Sequence, residues 1–219
     1  MTPKAASGAA RDAEQRDRWR RYWNKEAASY DKTMKFADRL FFGDSRAWVC
    51  TQAAGRTLEV AIGTGLNLPF YPSAVELTGI DFSPAMLDLA RRRAGELGRA
   101  AELQQADAMA LPFPDSSFDT VVCTFGLCAI PDDRRAVSEM NRVLRPGGLL
   151  LLADHIAGAY WPLRAVQRVA EIVTVPLQGE HFLRRPLRQV EAEGLDVVRR
   201  ERFKLGTVER LTARKPALG

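Results

Sequence analysis

Two glycines, Gly63 and Gly65, end the apolar run Leu58-Glu59-Val60-Ala61-Ile62. A glycine pair after a buried strand lets the backbone turn tightly and approach a ligand where a Cβ would collide. One acid, Glu59, sits inside that run. A second, Asp81, closes the next apolar run, one crossover helix further along. A carboxylate at such a strand end can accept both hydroxyls of a ribose lying across the sheet edge. The dinucleotide fingerprint would put a third glycine three residues after the second, where pyrophosphate meets a helix. Leu68 stands there instead. A nucleoside that carries positive charge and no phosphate tolerates that leucine and gains from Glu59, so a nicotinamide or flavin dinucleotide is the weaker reading.

Acid–base chemistry has few candidates, because the chain holds only two histidines. His155 follows the apolar run that ends Ala153-Asp154, at the edge where such sheets bind ligands, and is a candidate base or orienter for an acceptor. His181 lies in Gly179-Glu180-His181-Phe182-Leu183-Arg184, where Glu180 and Arg184 read equally well as surface pairs. Tyr22, Trp23 and Tyr30 near the N-terminus could cover a bound nucleoside, their ring faces attracting its cation. A Trp19/Trp23 stripe packed on the core is an equal alternative. The three cysteines, Cys50, Cys123 and Cys128, lack metal or redox spacing. Cys128 reads as a small buried residue, and no metal is expected.

These side chains need a scaffold that brings strand ends together. Thr57–Ile62, Val75–Ile80, Ala101–Gln105, Phe118–Thr124 and Leu149–Ala153 read as strands, most of them continuous apolar runs. Ser83 and Pro84 form a helix cap and first turn, with Leu87, Ala90, Ala94 and Leu97 following at helical spacing. Asp133–Leu144 is amphipathic and stops at Arg145-Pro146-Gly147-Gly148. Apolar strands alternating with helices predict an α/β, doubly wound and mostly parallel sheet. Trp161–Val175 and Pro186–Glu193 read as further helices. Leu195–Lys204 and Thr207–Ala213 read as an antiparallel hairpin closing one edge. Arg11–Met34 is predicted as a polar helix and residues 1–10 as disordered. One domain follows: an N-terminal helical cap (11–50), a nucleoside-binding core (51–155) and an acceptor wall with the hairpin (156–219).

The runs LEVAIGTGLNLPFY, TGIDFSPAMLDLARRR, QQADAMALPFPDSSFDTVVCTFGLC and MNRVLRPGGLLLLADH resemble, in order and spacing, the motifs of class I S-adenosylmethionine-dependent methyltransferases. The resemblance covers about half the chain. It implies a Rossmann-like sheet and S-adenosylmethionine as cofactor, with S-adenosylhomocysteine as product. It also implies that Glu59, Gly63 and Gly65, with Ala61 and Asn67 in the same loop, surround the methionine part. Asp81 would hold the ribose, Phe82 and Met86 would lie beside the adenine, Asp107 and Ala108 would face its amino group, and Thr124 and Phe125 would line the site. The family usually has glycine where this chain has Ala61. Within the superfamily the chain looks most like phosphatidylethanolamine N-methyltransferases, methyltransferase-like thiol methyltransferases and the ubiquinone and menaquinone C-methyltransferases. Those branches methylate different atoms, so the acceptor stays open.

Composition excludes more than it selects. Charged residues make up 27% of the chain and the net charge is +5, with arginines in short groups among acids. No aromatic-interleaved basic stripe and no Asn/Asp-Pro-Pro-aromatic motif marks a nucleic-acid substrate. The segment 157–185, rich in Trp161, Leu163, Val166, Val173, Val175, Leu177 and Phe182, suits a small apolar or amphipathic acceptor. Arg18-Trp19-Arg20-Arg21-Tyr22-Trp23 would suit peripheral membrane contact if that acceptor is a lipid. No apolar run reaches the length of a membrane helix and none marks a signal sequence. The expectation is a cytoplasmic protein, monomeric or homodimeric. Phospholipid methylation at a membrane and non-catalytic binding of S-adenosylmethionine are the alternatives.

Overall fold

The computed structural model describes residues 3–217. Strands β1 (Arg56–Val60), β2 (Glu76–Asp81), β3 (Ala101–Gln105), β4 (Phe118–Thr124), β5 (Leu144–His155), β6 (Asp196–Phe203) and β7 (Val208–Arg214) form one sheet in the order β3-β2-β1-β4-β5-β7-β6. The first five run parallel. The predicted hairpin is present, and β7 inserts antiparallel between β5 and β6, leaving β6 at the edge. The chain winds one way from β1 through β2 to β3 and the other way from β4 onward. The carboxyl ends of β1 and β4 therefore flank the crevice where sheets of this kind bind ligands.

Helices cover both faces, which is why most of β4 and the Leu150–Asp154 part of β5 are buried. Ala136, Val137, Met140 and Val143 of α4 (Asp133–Val143) and Val190 of α6 (Pro186–Ala192) close one face. Val49 and Cys50 of α2 (Ser45–Cys50), with Leu87 and Ala94 of α3 (Pro84–Glu96), close the other. The start of α3 is fixed as its sequence dictates: Ser83 Oγ accepts the Met86 N–H at 3.2 Å and Pro84 occupies the first turn.

Several elements depart from expectation. Helix α1 (Pro3–Ala37) runs back through residues 3–10, which the sequence reading leaves disordered; the alanines there are the strongest helix formers. Residues 1 and 2 of that stretch lie outside the described residues. Strand β1 stops at Val60, because Ala61 turns out of the strand at φ +57°. Strand β5 begins at Leu144, pairing with Phe118, and resumes at Leu149 opposite Thr120. Arg145-Pro146-Gly147-Gly148 thus makes an irregularity inside the strand, held by the Gly147 N–H on the Lys215 carbonyl at 2.8 Å. Helix α2, and the π-helical turn Asp38–Phe42 before it, went unread. Helix α5 (Trp161–Gln178) forms as predicted but buries none of its residues. No helix among the described residues is long and apolar enough to cross a membrane.

Candidate active site

At the switch point a cavity of about 120 Å³ opens beside the end of β1. Eight of the sequence-predicted cofactor residues line it: Ala61, Gly63, Asp81, Phe82, Met86, Asp107, Ala108 and Phe125. Asp81 is fixed by its own backbone surroundings. Its Oδ2 accepts the Gly63 N–H at 2.9 Å and its Oδ1 accepts the Ser83 N–H at 2.8 Å. Burial pushes its carboxyl up from the usual range, and those backbone donors oppose the shift. Asp107 turns back on itself, Oδ1 accepting the Met109 N–H at 2.8 Å. Between the two carboxylates lies an apolar slot of Ile80, Met86, Met109 and Ile130. These residues have the chemistry that an adenosine would need, acceptors for its hydroxyls and an apolar surface for its ring.

Glu59, Gly65, Asn67 and Thr124 do not line the cavity, though each lies within a few residues of one that does. Glu59 accepts from Asn67 Nδ2 at 2.7 Å and from the Tyr71 hydroxyl at 2.9 Å. Asn67 Nδ2 also reaches Thr124 Oγ1 at 2.7 Å, and Arg46 Nη1 donates to Asn67 Oδ1 at 3.1 Å. Burial pushes Glu59 up to about 7, against the pull of Tyr71, Asn67 and Arg46. Gly65, at φ +79°, is where α3 comes closest: a Cβ there would sit 3.3 Å from the Ala90 Cα and 2.7 Å from Leu68 Cδ1. The side chains of Glu59, Asn67 and Thr124 are thus joined in one hydrogen-bonded network, and their place with Gly65 around a bound cofactor stays what the resemblance implies. Arg46, buried and bonded to Asp38, escaped the sequence reading; the only signal was an arginine followed by Ala-Trp-Val-Cys in a short helix.

Helix α1 covers the cavity. Trp19, Trp23 and Tyr30 line it, so the aromatic stripe faces the ligand site. Three tethers hold the cover. Asp31 accepts from Thr64 Oγ1 at 2.6 Å and pairs with Arg93 of α3. Ser83 Oγ donates to Asn24 Oδ1 at 2.6 Å. Trp23 Nε1 donates to the Gln178 carbonyl at 3.2 Å, while the Tyr22 hydroxyl donates to the Gln178 side chain rather than facing the cavity.

A second cavity, about 300 Å³, shares Trp23, Tyr30 and Phe125 as a common wall with the first. Met34, Phe41, Phe42, Phe182 and Val208 make it apolar; His155, Glu180 and Gln167 are its polar groups. Phe125 holds its place at φ +52°, stacked on Phe42 at 3.9 Å between ring centroids, with the Arg46 guanidinium 5.0 Å from its own. Burial brings His155 down to about 4, so its imidazole is neutral at physiological pH. Its Nδ1 lies 3.4 Å from Asp154 Oδ1, and its Nε2 is buried with no hydrogen-bond partner among the described residues. Burial also lifts Asp154 to about 7, although it accepts the backbone N–H groups of His155 and Cys128.

His181 is not brought to either cavity; its backbone N–H bonds the Cys128 carbonyl at 2.9 Å. Of the apolar residues expected in the acceptor wall only Phe182 lines the cavity, beside Gln167 and Glu180 of the same segment. Trp161, Val166, Val173 and Leu177 point outward, each more than half exposed. Helical periodicity identifies an apolar face but not what it faces. Glu180, read as a surface pair, lines the cavity, while Arg184 caps the carbonyls of Leu127, Ile130 and Pro131.

This strand order, with a glycine turn and an aspartate at the switch point, defines a doubly wound α/β protein with a crevice at the carboxyl ends of its strands. Residues 58–152 match a family model described as a methyltransferase domain. Phosphatidylethanolamine N-methyltransferase of Cereibacter sphaeroides is 49% identical over 116 residues, 52% of this chain and 57% of that protein. Demethylmenaquinone methyltransferase of Deinococcus radiodurans is 42% identical over 125 residues, 52% of each. The chain thus spans a little over half the length of these curated relatives. A SAM-dependent methyltransferase of Thermotoga maritima shares the fold with a TM-score of 0.67 at 21% identity, covering 89% of this chain and 99% of the other. The [4+2]-cyclase SpnF does so at 0.65 and 24%, covering 83% and 82%. Residues 58–152 are thus similar to a methyltransferase domain, and the curated relatives that match this part of the chain are methyltransferases.

Proposed function

We propose that this protein transfers the methyl group of S-adenosylmethionine to a small apolar or amphipathic acceptor held in the second cavity. The observation that carries this reading is the shared wall. Trp23, Tyr30 and Phe125 stand between a nucleoside cavity edged by Asp81 and Asp107 and an apolar cavity holding His155. The cofactor, when bound, supplies a methyl group already activated on a sulfonium sulfur. What remains for the chain is alignment and exclusion of water, and good alignment alone can lower a barrier by roughly 7–11 kcal/mol. Asp81 and the slot behind Met86 would fix the adenosine. The faces of Trp23 and Tyr30 would favour positive charge near the shared wall. Burial keeps the Tyr30 hydroxyl protonated, so it can donate a hydrogen bond but not serve as a base. His155, neutral with Nε2 unpartnered, is the group suited to hold or remove an acceptor proton. His181 is given no part.

Calorimetric titration with S-adenosylmethionine and S-adenosylhomocysteine tests the cofactor half. Asp81→Ala should weaken binding by about 1.5–3 kcal/mol, the worth of hydrogen bonds to a charged group. No binding to the unaltered protein overturns the proposal. Thiols, amines and phospholipids then form the acceptor panel; cofactor binding with no methylated product would favour a regulator instead. Turnover on RNA and on no small acceptor would refute the small-molecule reading.

One observation favours phospholipid as acceptor. Val166, Val169, Ile172, Val173 and Leu177 of α5 are exposed together, and Phe36, Leu40 and Phe41 are exposed across the cavity. Apolar surface of that extent marks an interaction site. Lys32, Lys35, Arg39, Arg168 and Lys204 are exposed on the same elements and on the β6–β7 turn, so an anionic bilayer complements it in charge as well.

A further inference from the structure

Three metal-ligand types meet beside the acceptor cavity, which His155 and Glu180 line, and no hydrogen bond joins any two of the three side chains. Cys128 Sγ, a ring nitrogen of His155 and a carboxylate oxygen of Glu180 all lie within 4.8 Å of one another. They come from three separate elements: the loop after β4, the end of β5 and the loop after α5. Each is oriented from behind. Asp154 faces His155 Nδ1 at 3.4 Å and so leaves Nε2 as the nitrogen available to a ligand. That Nε2 is the buried polar atom without a partner. Gln178 Nε2 donates to Glu180 Oε2 at 2.7 Å, leaving the other oxygen open. The Cys128 thiol is held from behind as well, by the Asp154 carboxylate and by a long contact with the Phe125 carbonyl at 3.6 Å.

We infer that Cys128, His155 and Glu180 form a binding site for one zinc-class divalent cation that opens into the acceptor cavity. Thiolate, imidazole and carboxylate are the ligand set of a borderline-soft ion, whereas magnesium and calcium take oxygen ligands. Three protein ligands with one open position is the arrangement of a reactive rather than a structural zinc site. A carboxylate behind the ligating imidazole, as Asp154 stands, is the usual outer partner that fixes ring orientation. The acids of the neighbourhood, Glu180 and Asp154, outnumber its one cation, Arg184, and the Arg184 guanidinium is spent on the carbonyls of Leu127, Ile130 and Pro131. Binding replaces the Cys128 thiol proton, which leaves to water, by a sulfur–metal bond. This deepens the methyl-transfer reading and rests on it for its meaning: with the ion bound, His155 is a ligand, and the holding of the acceptor's reacting atom passes from its Nε2 to the open position. An acceptor with a thiol or hydroxyl would place one lone pair on the open position and lose its proton to water as it coordinates, keeping a second lone pair on the same atom for the methyl group.

The test needs no methyl transfer. The full-length protein, stripped with chelator, is titrated with Zn²⁺ by calorimetry and with Co²⁺ by absorbance. The expected result is one ion per chain and a thiolate-to-cobalt charge-transfer band that disappears in Cys128→Ser. Glu180→Gln and His155→Gln should each weaken Zn²⁺ binding about a hundredfold, and Asp154→Asn by roughly the 10–100-fold typical of an outer partner. Cys128→Ser differs by one atom; should it fail to fold, Glu180→Gln with the cobalt band of the unaltered protein decides. No saturable Zn²⁺ binding, or binding equal in all variants, overturns the site. S-adenosylhomocysteine titration on the same samples separates the two claims: nucleoside binding without metal binding sinks only this one.

Discussion

Glu59 is an acid whose environment holds its proton, and that has a sign and a pH window. Its carboxyl is raised from 4.5 to about 7, with burial as the largest cause. The folded state therefore binds more protons than the unfolded state between those values, and stability falls as pH rises from about 4.5 to about 7, then levels off. At about 1.4 kcal/mol for each unit, the loss amounts to roughly 3 kcal/mol. Glu59→Gln should flatten that slope, since its Oε1 can still accept from Asn67 and its Nε2 can donate to the Tyr71 oxygen. Urea unfolding between pH 4.5 and 8 checks this, and an unchanged slope would assign the pH dependence to another group. Ala61 holds a different kind of cost. Its φ of +57° puts a methyl group in the left-handed region, at roughly 1–2 kcal/mol. Ala61→Gly relieves that strain but gives the unfolded chain back about 0.4–1 kcal/mol of entropy. The net expectation is up to about 1 kcal/mol of added stability, read from the urea midpoint at constant slope; a midpoint that falls by that amount would mean the methyl group packs usefully against Gly126.

At the scale of elements, the site depends on α1 resting on α3 and α5, and the junction with α5 is a glycine. Gly179 ends α5 at φ +78°, and a Cβ there would lie 3.0 Å from the Trp19 ring. Its own conformation makes any side chain unfavourable, and the ring it would displace lines the nucleoside cavity. Gly179→Ala should thus cost about 1–2 kcal/mol of stability and also weaken S-adenosylhomocysteine binding. Measuring both on the same sample matters, because loss of stability with full affinity would mean that Trp19 is no part of the ligand site. The strands carrying the cofactor motifs were legible because each has a local signature: an apolar run, a glycine turn, a terminal acid or a Ser-Pro cap. The cover was half legible. Trp19, Trp23 and Tyr30 stood out by type, but the tethers from Asp31 to Arg93 and from Asn24 to Ser83 join residues far apart in sequence. No local pattern announces them.

Across the whole molecule, the sequence conveyed the fold class and most of the nucleoside cavity, yet misplaced the acceptor wall. The reason is general: the spacing of Val166, Val169 and Val173 encodes an apolar side, and only tertiary packing decides whether that side meets protein, ligand or lipid. Here Val166, Val169 and Val173 face outward, each more than half exposed. This separates two effects that usually travel together. Replacing Val169 and Ile172, 65% and 70% exposed, by serine removes few packed contacts, so folding stability should change by no more than about 0.5 kcal/mol for each. If the face enters a bilayer, the same side chains leave water there, worth roughly 1.5–3 kcal/mol apiece at full burial. The double variant should then lose tenfold or more of its affinity for phosphatidylglycerol vesicles in a flotation assay, while its unfolding curve superimposes on that of the unaltered protein. Added salt should weaken binding of both proteins alike, because Lys35, Arg39 and Arg168 are untouched. Equal vesicle binding by the two proteins would show that α5 is not the face presented to lipid; absence of binding by either would remove the bilayer, and with it the phospholipid reading of the acceptor cavity.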